Sequence, residues 1–178
     1  MKEIERKWLL KEIPKGWYDY SIIRQFYLSV NPEVRLRKKV TYPKVVNSKV
    51  YIDYMITVKG DGNLTRSETE NHVTKLFYDD CLELIGDKDT IKKDYYRYFD
   101  GKHTVEISNV DNGTFIYAEV EFKSEEEALA YVFPYSDLVI TEITDNENYK
   151  MKNYWDKTRN DFLTKEDWFN PDSSWIKY

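Results

Sequence analysis

The sequence predicts an α+β protein built on an eight-stranded antiparallel closed β-barrel, a tunnel with helices packed outside. Three observations lead there. Period-two alternation runs through most of the first four-fifths of the chain. Turn residues punctuate that alternation at short intervals. And 33% of the residues are charged, many inside the segments that alternate most regularly. Alternate residues of a strand face opposite ways, so such charges gather on one side of the sheet.

Strands are expected over residues 2–9, 22–29, 33–41, 50–59, 65–71, 91–99, 104–108 and 115–122. Gly60-Asp61-Gly62-Asn63 and Asp100-Gly101 read as hairpin turns, and Pro43 with Asn47 and Ser48 as a longer, bent one. A helix over 72–85 would put Val73, Leu76, Phe77, Cys81, Leu84 and Ile85 on one face, with Gly86 stopping it. Ser124 and Glu127 have capping-box spacing and open a short helix to about 132. Thr144 and Glu147 repeat that spacing and open another to about 155. Residues 1–155 are therefore read as one tunnel domain. The tail, 156–178, is expected to pack on it through Trp168, Phe169 and Trp175.

Composition narrows the function classes. A net charge of −5 argues against general nucleic-acid binding. No apolar run reaches membrane-spanning length, and the N-terminus lacks the shape of a signal peptide. The single cysteine, Cys81, excludes a disulfide framework and suggests a reducing cytoplasm. Two histidines, His72 and His103, make a histidine metal site a poor reading.

The charged faces can be written out strand by strand. Glu3, Glu5 and Lys7 share one, and Arg35, Arg37 and Lys39 another. Thr57 and Lys59 share a third; Arg66, Glu68 and Glu70 a fourth; Lys93, Tyr95 and Arg97 a fifth; Glu119, Glu121 and Lys123 a sixth. For any one strand a solvated outer face explains this. Six strands closing into one barrel change the weighing. Their opposite faces carry Val34, Leu36, Tyr54, Ile56, Val58, Ala118, Val120 and Phe122, which suit packing under helices. The charges then meet inside, where they coexist only as a balanced, wet interior that holds an ionic ligand. Carboxylates suit a hard divalent cation, while arginine and lysine suit phosphate oxygens. The mixture implies a triphosphate–metal complex and excludes an apolar ligand. Gly60-Asp61-Gly62 is not a P-loop, since no GK[ST] follows.

These residues resemble a known family. Glu3-Ile4-Glu5-Arg6-Lys7 is similar to the ExExK signature of the CYTH domain, the triphosphate tunnel metalloenzymes. Arg35-Leu36-Arg37, Thr57-Val58-Lys59-Gly60, Arg66-Ser67-Glu68-Thr69-Glu70, Ala118-Glu119-Val120-Glu121 and Glu142-Ile143-Thr144-Asp145 resemble its later motifs, in the family's order. The resemblance implies Mg²⁺ or Mn²⁺ on Glu3, Glu5, Glu119 and Glu121. It implies phosphates on Lys7, Arg35, Arg37, Lys59, Arg66 and Lys93, and water oriented by Glu68 or Glu70. Lys7 serves as a base only if its pKa is depressed. Two positions depart from the pattern. Tyr95 stands where the family has arginine, with Arg97 about 7 Å further along the same face as a substitute. Ser108 stands where it has an acid, with Asp111 in the turn beyond.

The expected activity is metal-dependent hydrolysis of a small-molecule triphosphate: inorganic tripolyphosphate, or a nucleoside or thiamine triphosphate. Two alternatives stand beside it. One is a class IV adenylate cyclase, making cyclic AMP and pyrophosphate from ATP, for which the sequence shows no adenine pocket. The other is a non-catalytic nucleotide or polyphosphate binder, which Tyr95 and Ser108 favour. The expected setting is a cytoplasmic monomer or homodimer.

Overall fold

The structure, a computed structural model, describes residues 2–44, 49–86 and 90–159. Nine strands form one antiparallel sheet. They are β1 (Lys2–Leu10), β2 (Asp19–Val30), β3 (Glu33–Pro43), β4 (Tyr51–Lys59), β5 (Thr65–His72), β6 (Ile91–Phe99), β7 (Thr104–Val110), β8 (Phe115–Glu121) and β9 (Val139–Glu142). The order β5-β4-β3-β2-β6-β7-β8-β1 closes where β5 meets β1, giving the expected eight-stranded barrel. β1 has a second partner on its closing side: Lys2–Ile4 pair with β5, and Trp8–Leu10 pair with the short β9.

Period-two alternation holds around the barrel. On the outer side, Trp8, Leu10, Tyr98, Val105, Ile107, Ala118 and Val120 form one cluster with Phe133 and with Ala128 of α2 (Glu125–Ala130). Ser124 caps α2 as the spacing predicts, accepting from the Glu127 amide at 3.2 Å. A second outer cluster joins Phe26 and Leu36 to α1 (Lys75–Ile85). Cys81 lies in it, buried and free. Gly86 stops α1 by donating its amide to the Leu82 carbonyl at φ +96°. At the β4–β5 turn the chain approaches itself closely: a Cβ on Gly62 would run into the Thr65 carbonyl oxygen.

Several expectations change. α1 starts at Lys75, because Thr74 caps it by accepting from the Phe77 amide. Its inward stripe is buried Tyr78 and Cys81 with partly buried Leu82 and Ile85, while Leu76 and Leu84 are 70% and 84% exposed. Tyr78 sets that phase: its ring packs between Phe26 and Tyr54, at 5.3 and 5.2 Å between centroids. Val58 is also exposed, since α1 does not reach it. β9 was not expected. Thr144 caps nothing: its hydroxyl accepts from the Lys7 amide and donates to Glu142, so the next element is a 3-10 turn at Glu147–Tyr149. The helix after it, α3 (Met151–Arg159), carries the chain beyond 155. The expected hairpin at Asn47 and Ser48, and the tail from residue 160 onward, lie outside the described residues. Among the described residues no helix is long and apolar enough to cross a membrane.

The apolar core also enters the barrel. Leu9, Tyr27, Ile91, Val110 and Phe115 face inward near one end of their strands, and Val30, past the bulge in β2, packs against them. Tyr149, Met151 and Tyr154 pack on them, with Trp155 edge-on to Tyr27 at 5.7 Å. The 3-10 turn and α3 thus make an apolar floor beneath the charged interior.

Candidate active site

Above that floor lies a polar cavity of about 230 Å³. All of Glu3, Glu5, Lys7, Arg35, Arg37, Lys59, Arg66, Glu68, Glu70, Lys93, Glu119 and Glu121 line it, so the expected inward face is brought together. Arg97 does not reach the lining. Its guanidinium turns to Asp19, whose Oδ2 accepts from Nε at 2.8 Å, so it is no substitute for an arginine at position 95. Asp111 also stays outside: its carboxylate accepts from the Lys92 amide and the Tyr154 hydroxyl. Lys123 lies past the end of β8 and lines a neighbouring depression with Lys102, His103 and Glu127.

Most of the lining is paired. Arg66 bridges Glu3 and Glu5 at 2.7 and 2.6 Å. Lys59 holds Glu3 at 2.9 Å and Glu68 at 2.6 Å. Lys7 holds Glu119 at 2.6 Å and Glu5 at 3.1 Å. Arg37 reaches Glu70 at 2.9 Å, and the Thr57 hydroxyl donates to the same oxygen at 2.7 Å. Register explains part of this, since Lys7 faces Glu119, Lys59 faces Glu68 and Glu3 faces Arg66 across neighbouring strands.

The pairing sets the proton affinities. Burial works against the Lys7 charge, but Glu119 and Glu5 hold its pKa well above the ordinary value. The condition for Lys7 to act as a base, a depressed pKa, is thus not found; the shift runs the other way. Burial opposes charge on Glu119 too, and Lys7 and Lys93 keep it well below the usual carboxylate range. Glu68 is lowered against its burial by hydrogen bonds and by Lys59.

Other groups are only partly satisfied. Among the described residues Lys93 pairs with no carboxylate; it donates to the Tyr117 hydroxyl at 2.6 Å. Burial, with Arg35, Lys7 and Arg37 nearby, pulls its pKa down to about 7, and Glu119 offsets only part of that. Arg35 Nε and Arg37 Nε are buried with no acceptor. Glu121 has no cation partner among the described residues. Burial and the carboxylates of Glu106, Glu3, Glu5 and Glu119 push it up to about 7.

The structure adds lining residues that sequence reasoning left out of the site. Lys39, which parity already puts on the charged face with Arg35 and Arg37, lines the cavity, and Glu33 shares that parity and could have been found by it. Glu106 faces Glu119 across β7 and β8. The two departures from the family pattern, Tyr95 and Ser108, are direct cross-strand partners, so they form one neutral patch in the wall. Lys150 and Met151 come from the junction of the 3-10 turn with α3, and no strand pattern marks them.

Comparison with known proteins gives the following. No family model matches the chain. An inorganic triphosphatase of Nitrosomonas europaea is 28% identical over 157 residues, covering 85% of this chain and 95% of that protein. A solved structure of the inorganic triphosphatase NE1496 has a TM-score of 0.56 at 25% identity, covering 84% of this chain and 94% of that one. A second, of NE1496 described as a hypothetical protein, has a TM-score of 0.56 at 24% identity, covering 85% and 96%.

Proposed function

From the fit of this chain to the CYTH, or triphosphate tunnel, superfamily, in its barrel and its relatives, we propose that it hydrolyses a triphosphate inside the tunnel. Inorganic tripolyphosphate is the first candidate substrate, because it is the class named for the relative. The observation that carries the reading is the leftover charge. Among the described residues Lys93 pairs with no carboxylate and Glu121 with no cation, and the buried Nε donors of Arg35 and Arg37 have no acceptor although both guanidinium groups reach Glu70. An interior with uncompensated charge of both signs is costly alone and is completed by an anion together with a cation.

A divalent cation fits the donor chemistry, since Glu3, Glu5, Glu119 and Glu121 offer hard oxygens of the kind Mg²⁺ and Mn²⁺ take. Among the described residues no three potential ligands converge as they stand. Lys59, Arg66 and Lys7 occupy three of the four carboxylates. These four would hold the ion once phosphates draw the cations off them. When bound, such an ion withdraws charge from phosphate oxygens and makes the phosphorus more open to attack.

The protein's own groups do the rest. Arg35, Arg37, Lys59, Arg66 and Lys93 bind the phosphates and neutralise charge that builds on the leaving group. Lys7, whose pKa is raised by Glu119 and Glu5, adds to that field. Glu68 and Glu70 are anchored by Lys59, and by Thr57 with Arg37. As hydrogen-bond acceptors they orient a water toward the terminal phosphorus. The water oxygen bonds to phosphorus, the bridging P–O bond breaks, and pyrophosphate leaves with that electron pair. The proton passes from the water through the carboxylate to solvent.

The test is a product assay. The protein is incubated with tripolyphosphate, ATP or thiamine triphosphate under Mg²⁺, Mn²⁺ or Ca²⁺, and orthophosphate, pyrophosphate and cyclic AMP are separated. Orthophosphate from the terminal phosphoryl group is expected. Cyclic AMP with pyrophosphate from ATP would establish the cyclase instead. Tight binding with no turnover under any cation would establish a non-catalytic binder.

A further inference from the structure

β3 turns Arg35, Arg37 and Lys39 into the tunnel at two-residue spacing, but their surroundings differ. Arg35 and Arg37 reach Glu70. Lys39 reaches no carboxylate and no hydrogen-bond acceptor among the described residues. Its ammonium lies over the Tyr95 ring, 4.5 Å from the centroid. A ring face attracts a cation but leaves its three N–H donors unmatched. Arg97 and Arg37 oppose the Lys39 charge along with burial, and Glu106 and Asp19 favour it only from a distance. An anion would supply what is missing.

Position says which part of an anion. Arg35 lies beside the floor, opposite Tyr27. Arg37 follows, and Lys39 lies two residues nearer the mouth, opposite Ile23. The floor is closed by Tyr149, Met151 and Tyr154 in apolar packing. A substrate seated on Arg35 and Arg37 must therefore point any organic substituent toward the mouth, past Lys39. A bare polyphosphate puts a terminal phosphate there, with one more ionisable oxygen than an esterified phosphate carries.

We propose that Lys39 is a specificity-determining contact that takes the mouth-ward terminal phosphate of a linear polyphosphate, favouring it over a triphosphate esterified to a nucleoside. This rests on the triphosphate reading above. Calorimetric Kd values for tripolyphosphate and for ATP, at one fixed Mg²⁺ concentration, test it in four proteins: native, Lys39→Met, Lys39→Gln and Lys39→Arg. Circular dichroism checks that each variant is folded. The native protein is expected to bind tripolyphosphate more tightly than ATP. Lys39→Met and Lys39→Gln are expected to weaken tripolyphosphate about tenfold and ATP less than about threefold, with Lys39→Arg restoring the preference. Equal weakening of both ligands, no weakening of either, or no restoration by arginine overturns the assignment. If the native protein binds neither ligand, the triphosphate reading itself falls. If it binds both and the variants match it, only the role of Lys39 falls.

Discussion

The two ends of the barrel interior are built from the same strands and do opposite things. On β1 the inward residues run Glu3, Glu5, Lys7 and then Leu9. On β8, counted toward the floor, they run Glu121, Glu119, Tyr117 and then Phe115. On β6 they begin at Ile91 and pass through Lys93. The floor buries apolar rings, which favours folding. The chamber above it stores charge that the fold must carry, which works against stability unless partners and water satisfy it. Stability therefore resides in one end and ligand affinity in the other, within a few residues of the same strands.

Substitutions at the two ends should separate those roles. The largest effect is expected for Phe115→Ala, in the fully buried floor. It should cost about 3–5 kcal/mol in a denaturant titration, with tripolyphosphate affinity of the folded fraction unchanged. A large loss of affinity at full folding would mean that the floor belongs to the site.

Lys93→Met should act in the reverse direction, weakening tripolyphosphate binding while stabilising the free protein by about 2 kcal/mol at pH 6. The sign follows from linkage. The Lys93 pKa is pulled down to about 7 in the fold, whereas an unfolded lysine titrates at about 10.4. Between these values the unfolded chain holds a proton that the native one has released, so native stability rises with pH across that window. In Lys93→Met this rise should disappear. A variant less stable than native at pH 6 would show that Lys93 is already compensated.

Smaller, but specific, are the proton movements on binding. Tripolyphosphate alone, near pH 7.5, should draw a fraction of a proton onto Lys93. A divalent cation alone, near pH 6.5, should expel a fraction of a proton from Glu121, which burial and the neighbouring carboxylates push up to about 7. Calorimetry in buffers of different ionisation heat reads both. Protons moving the same way for both ligands would contradict the assignment of opposite unpaired charges.

How much of this the sequence foretold depends on the residue. The charged face was legible because parity is local, and each of Glu3, Arg35, Lys59 and Glu119 declares its side through its neighbours two away. The floor follows the same parity, but alternation says nothing about where along a strand the lining turns from charged to apolar. Arg97 has the right parity and still misses the chamber, because it lies near the end of β6 where Asp19 of β2 captures it. The phase of α1 was misjudged because Leu76, Phe77 and Leu84 look like core, while the slot between Phe26 and Tyr54 that selects Tyr78 forms only in three dimensions. The direction of the Lys7 shift was hidden for a related reason: its partner Glu119 is far away in sequence and directly opposite in register.

If the tunnel is a triphosphatase, the carboxylates at its charged end serve a cation-dependent reaction. Orthophosphate release from tripolyphosphate, followed with Mg²⁺ or Mn²⁺ in the native protein and in Glu3→Gln/Glu5→Gln, addresses this most directly. Steady release by the native protein, dependent on the cation and abolished in a folded double variant, is the expected result. Unchanged release by the double variant would contradict it.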